Sequence, residues 1–295
     1  MRLFSTLVTL AAAAGLAGCA STAPEVATQP VAINFALTAN GKAARCGVPL
    51  GPLGVGKTAA ILRDARFYVQ DVALIDAAGK PVPLTLTVND WQTANVALLD
   101  FEDGSGGCVG GTKATNVTVT GAVPAGTAYA GLSFTVGVPP ALNHSSTEKA
   151  PPPLDIAALG WSWQAGRKFV KVEVDPAGGV AKPDGGKAPS WYVHLGSTGC
   201  SGNPATGENV VCTRSNRVPV TLAAFDPRAQ AVALDLSSLF QGSALNKDQG
   251  GAVGCMSGPT DADCGPIFAR LGLSLSDGKP VESGRSPAFA LVAKP

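Results

Sequence analysis

KFVKVEV, residues 168–174, alternates from Val170 onward: Val170, Val172 and Val174 fall on one face of an extended chain, Lys171 and Glu173 on the other. A period of two marks a strand buried on one side, because successive side chains of a strand point to opposite faces. Similar segments recur along the chain: VAINFAL from 31, RFYVQDVALI from 66, PLTLTV from 83, NVTVTGAV from 116, GLSFTVGV from 131, WYVHL from 191, VPVTL from 218 and AVALDL from 231. Between them lie turns rich in glycine, proline and asparagine, and the chain holds 36 Gly and 23 Pro against an aromatic content of only 6%. Strands at this spacing predict an all-β protein, an antiparallel β-sandwich or barrel, and the sandwich is the reading adopted. SSLFQGSAL and PIFARLGL read as short helical turns, and the Gly/Pro-rich stretches near 145–155 and 176–189 as long loops.

One motif points elsewhere. GPLGVGKT, residues 51–58, matches the G-x-x-x-x-G-K-[ST] phosphate-binding loop, and VALLDFED at 96–103 resembles the strand-plus-acid element that accompanies it in nucleotide hydrolases. That loop functions only between a buried strand and a helix whose N-terminus meets the phosphates. Here NGKAARCGVP precedes it, a polar stretch broken by Cys46, Gly47 and Pro49, and the residues after Thr58 read as extended chain. The setting excludes nucleotide binding. A formal net charge of +1 with no basic run likewise argues against a nucleic-acid partner.

The chain opens MRLFSTLVTLAAAAGLAGCA, one arginine followed by an apolar run too short to span a bilayer. Residues 1–18 read as a signal peptide. Leu16, Ala17, Gly18 and Cys19 resemble a bacterial lipobox, in which the cysteine is acylated and becomes the new N-terminus. Residues 19–30 then form a lipidated tether and 31–295 the folded domain. Ala20 after the cysteine carries no retention signal, which predicts anchoring at the periplasmic face of the outer membrane or at the cell surface.

Six further cysteines remain: Cys46, Cys108, Cys200, Cys212, Cys255 and Cys264. An even number in an exported chain predicts three disulfides, with fifteen possible pairings. Nearness in sequence favours 200 with 212 and 255 with 264, leaving 46 with 108. No C-x-x-C pair is present to recommend a thiolate metal site.

Groups for chemistry are few. His144 and His194 are the two histidines, and Met256 is the sole methionine after the initiator. A Ser-His-Asp hydrolase could use His194 with Asp226 or Asp235, yet no G-x-S-x-G elbow exists. The paired acids Glu102/Asp103 and Asp261/Asp263 sit in turns beside cysteines, where they are expected to bond the turn itself. Trp161 and Trp163, two apart, would share one face of a strand.

RFYVQDVALID, WQTANVALLDFEDGSGGC, NVTVTGAVPAGTAYAGLSFTVGVPPALNH, PPPLDIAALGWSWQAGRKFVKVEVD, WYVHLGSTGC and GCMSGPTDADC, in that order, resemble the MbnP-type copper-binding proteins, the four-cysteine half of the metallo-mystery pair. The likeness covers nearly the whole mature chain. It implies one Cu(I) ion held by His144, His194 and a kynurenine made from Trp161. The implied oxidising partner is a di-haem c-type cytochrome of the MauG and peroxidase superfamily. Intact indole offers only an N–H, so it must be opened to an aryl amine and ketone before it can donate to a metal. Water would fill a fourth position, or the soft thioether of Met256.

Trp163 is expected to pack or to relay an electron, and Trp91 and Trp191 to be structural. Arg167 stands where the family often has tyrosine, a change expected to alter the surface shown to the partner. On this reading the chain handles copper, as a protein and not an enzyme. The alternative is a structural or carbohydrate-binding β-sandwich lipoprotein without metal.

Overall fold

The computed structural model describes residues 27–93, 95–161, 166–206 and 208–294. Residues 1–18, read as a signal peptide, Cys19 and Trp163 lie outside the described residues. The principal strands are β1 (Thr28–Ala39), β2 (Pro49–Leu53), β3 (Thr58–Asp76), β4 (Val96–Asp100), β5 (Thr118–Pro124), β6 (Tyr129–Val136), β7 (Val170–Pro176), β8 (Trp191–Leu195), β9 (Thr198–Ser201), β10 (Val211–Arg214), β11 (Val218–Ala223), β12 (Gln230–Asp235) and β13 (Phe289–Ala293). The stretch assigned to the tether ends inside β1, which starts at Thr28.

Two main sheets form. One has the order β13–β12–β1–β5, with Thr85–Leu86 on its edge; the larger has the order β8–β7–β3–β6–β11, with β2 and β4 also paired to β3. Pairing is antiparallel except between β1 and β12, where Phe35 lies in parallel register with Val232. The sheets face each other over phenylalanines that interlock edge to face. Phe35 of β1 meets Phe67 of β3 at 5.9 Å and Phe134 of β6 at 5.6 Å, and Phe289 of β13 meets the same two rings at 5.8 and 5.7 Å. Such offset geometries suit the ring quadrupole and add roughly 1 kcal/mol per pair beyond area burial.

The heptapeptide at 168–174 behaves as its period requires. Val170, Val172 and Val174 enter this core, while Lys171 and Glu173 stand on the outer face of the larger sheet. On that outer face Tyr68, Val96, Leu98, Val138 and Phe169 form a second apolar cluster with Leu154 and Leu159 of the 140–160 segment. That segment carries α1 (Pro140–Asn143). The two expected helical turns are α2 (Leu236–Leu239), capped by Asp235 through Ser237 N at 2.8 Å, and α3 (Cys264–Leu271), closed by Gly272 at φ +78°.

The disulfides pair as nearness in sequence suggested: Cys46–Cys108, Cys200–Cys212 and Cys255–Cys264. The phosphate-loop spelling falls on the hairpin between β2 and β3. Gly54 there stands at φ +66°, and a Cβ on it would meet the Ser243 carbonyl at 2.3 Å. The residue after the motif continues a strand, not a helix. Among the described residues no helix is long and apolar enough to cross a membrane.

Candidate metal centre

β7 and β8 pair so that Lys171 faces His194 and Glu173 faces Tyr192. Trp191 and His194 therefore point to opposite sides of β8. Trp191 is fully buried in the core, its ring 5.8 Å from Phe240, and His194 joins the polar outer face. There His194 Nε2 and Glu173 Oε1 are 2.8 Å apart. Glu173 also takes Lys171 Nζ at 2.8 Å, and Lys171 bridges onward to Asp64, which is bonded by Arg66. Burial opposes the charge on Glu173, but the hydrogen bonds from His194 and Lys171 outweigh it and hold the carboxyl down to about 2. Burial lowers the pKa of His194 against the pull of Glu173, which favours a neutral imidazole, the protonation state a metal requires.

Trp161 reaches this histidine from the loop before β7. Its amide donates to Gly166 O at 2.8 Å, and Gly160 bridges to Arg167. The half-buried indole stands edge-on to the imidazole of His194, with ring centroids 6.4 Å apart and planes at 89°. Gly196, just past β8, makes this approach possible: a Cβ there would lie 2.9 Å from Trp161 Cζ3.

His144 follows α1, next to a residue tied to Arg167. The side chain of its neighbour Asn143 accepts from Arg167 N at 3.0 Å and donates toward His144 Nε2 at 3.1 Å. The same nitrogen of His144 lies 3.5 Å from Cys212 Sγ of β10. The structure thus brings Trp161 directly to His194, and links the His144 segment to the base of the same loop through Asn143 and Arg167. Met256 is half-buried in a segment running beside β8, where His194 N donates to Cys255 O at 2.9 Å and Ser257 Oγ donates to His194 O at 2.9 Å.

Arg167 corrects an expectation. It is not a surface feature: its side chain is 1% exposed and its guanidinium donates to the carbonyls of Leu142, Asn143, Ser145 and Leu154 at 2.6–3.1 Å. It clamps the backbone on both sides of His144. Glu173 is the other functional residue that sequence reading missed. Its place on the polar face of KFVKVEV was visible, but the register that sets it against His194 was not.

The remaining acids are engaged elsewhere. Asp226 bonds Arg228, and Asp235 caps α2. Asp103 and Asp261 bond their own turns through Ser105 and Asp263, as expected. Glu102 does not: it is fully buried, and burial pushes its pKa up to about 7. Trp91 packs on the outer apolar cluster.

No curated protein sequence matches the chain. Among solved structures, MbnP from Methylosinus trichosporium is similar with a TM-score of 0.85 and 51% sequence identity, over 91% of this chain and 99% of that one. The MbnP family model matches residues 28–257, from the first strand through the segment beside β8. The chain belongs to the MbnP family.

Proposed function

We propose that this protein binds one Cu(I) through His194, His144 and a kynurenine formed from Trp161, and serves in copper acquisition or homeostasis. The observation that carries the reading is the edge-on approach of the Trp161 ring to His194, permitted by the bare backbone of Gly196. With Nε2 of His194 engaged by Glu173, Nδ1 is the nitrogen left to face a metal. Membership of a family linked to copper supports the assignment. Neutral imidazoles and an aryl amine form a soft-to-borderline set that suits copper. Cu(I) is the ion carried, and the chain's own groups bind and orient it.

On this reading the protein is the substrate of a di-haem c-type cytochrome and not an enzyme. It works as a lipid-anchored protein at the periplasmic face of the outer membrane. Half-exposure of Trp161 suits it to electron removal by a macromolecular oxidant at the surface.

The test is peptide mapping and metal analysis of protein co-expressed with such a cytochrome. The peptide holding Trp161 is expected to carry kynurenine, and one Cu(I) to survive a chelator that strips the His144→Ala and His194→Ala variants. Equal copper retention by Trp161→Phe would overturn the assignment.

A further inference from the structure

The three cystines differ in setting. Cys46, Cys108, Cys255 and Cys264 are all buried, at 7% exposure or less. Cys200 and Cys212 are both half-buried, and they face each other in register across the β9–β10 ribbon, which joins neither main sheet. A reductant can reach this bond, and opening it removes no core packing. The ribbon lies against His144: ligand atoms of His144, Cys200 and Cys212 all fall within 4.8 Å of one another. The two cysteines stand 12 apart in sequence, so no metal-binding spacing is visible there; only the hairpin register joins them.

We propose that reduction of Cys200–Cys212 turns this corner into a second soft metal site, two thiolates and one imidazole, that takes Cu(I). A dithiol reductant supplies both electrons. Its first thiolate attacks one sulfur and breaks the S–S bond; its second displaces the mixed disulfide, leaving two thiols on this chain and a disulfide in the reductant. Each thiol releases its proton as its sulfur binds the metal. Thiolates select Cu(I) and zinc, whereas the uncharged sulfurs of a cystine are poor donors. The corner therefore offers one imidazole when oxidised and three converging donors when reduced. It shares His144 with the proposed copper centre but needs neither Trp161 nor His194.

That independence sets the experiment. The full-length Trp161→Phe/His194→Ala variant is treated with dithiothreitol, freed of it anaerobically, mapped by alkylation and titrated with Cd(II) and with Cu(I) against a chromophoric chelator. Cys200 and Cys212 are expected to label before the other four cysteines. The reduced protein is expected to take one Cd(II) with a thiolate-to-metal charge-transfer band, and to hold Cu(I) at least about tenfold more tightly than the oxidised form. Adding His144→Ala is expected to weaken that binding by about tenfold or more with both thiols intact. Alkylating the two thiols of otherwise unchanged protein is expected to abolish it, which avoids reliance on a cysteine variant that misfolds. Equal affinity in oxidised and reduced protein, first opening of Cys255–Cys264, or binding that persists after alkylation would each overturn the proposal. None of these outcomes bears on copper held by the oxidised protein with kynurenine in place.

Discussion

Glu173 Oε1 meets His194 Nε2 at 2.8 Å by a diagonal reach between β7 and β8, since the residue directly opposite His194 is Lys171. The carboxylate fixes which imidazole nitrogen carries the proton and orients the ring. Glu173→Gln is expected to weaken Cu(I) binding by about 10- to 100-fold while leaving the fold intact. Chelator competition reads the affinity, and the 15N shifts of His194 in the metal-free protein read the tautomer. An unchanged tautomer would remove the positioning role.

Arg167 holds four backbone carbonyls and, among the described residues, forms no ion pair, the nearby acid being Asp155. Truncating it leaves buried acceptors without donors, so Arg167→Ala is expected to cost roughly 3 kcal/mol or more in urea unfolding. Arg167→Lys keeps the charge but not the planar fork and is expected to fall between. Copper affinity should fall in the same order, because the clamped segment carries His144.

Gly196→Ala places a methyl 2.9 Å from both the Trp161 ring and the Arg167 carbonyl. The indole must move, because a backbone carbonyl cannot. A loss of about 1–3 kcal/mol is expected, together with a changed Trp161 fluorescence and a lower yield of oxidised Trp161. Wild-type values for all three would mean that the two rings are not held together by this approach.

Glu102 makes stability depend on pH. Its folded pKa is raised from 4.5 to about 7, so the folded state binds its proton more tightly than the unfolded chain. The resulting contribution is complete below pH 4.5 and is lost as pH climbs through 7, by roughly 3 kcal/mol at most. Glu102→Gln is expected to flatten this fall between pH 4.5 and 7.5 and to leave the variant more stable than wild type at pH 8. Denaturant midpoints across that range check it.

Much of the scaffold was legible in the residues. Period-two segments marked the strands, short separations marked two of the cystines, and the polar approach to Gly51 ruled out the setting a phosphate-binding loop needs. The site was legible only in part. Trp161, His144 and His194 could be named through resemblance, but their surroundings could not. Arg167 reads as an ordinary loop cation beside Gly166 and Lys168, because the carbonyls that bury it leave no mark on side-chain identity. Glu173 reads as a solvated polar position, because its partner depends on strand register, which no local pattern records. The parallel pairing of β1 with β12 was hidden for the same reason: it joins segments nearly two hundred residues apart.

β3 is a single strand of 19 residues against which β2, β4, β6 and β7 all lie. Its neighbours come from as far along the chain as Pro176, so the centre of the larger sheet stays open until well over half of the polypeptide has emerged. The edge that β7 covers must wait in water for that distant segment to arrive, a topology that folds slowly and invites association meanwhile. A chain cut before β7 would keep this strand's edge bare and is expected to aggregate rather than assemble a smaller sandwich.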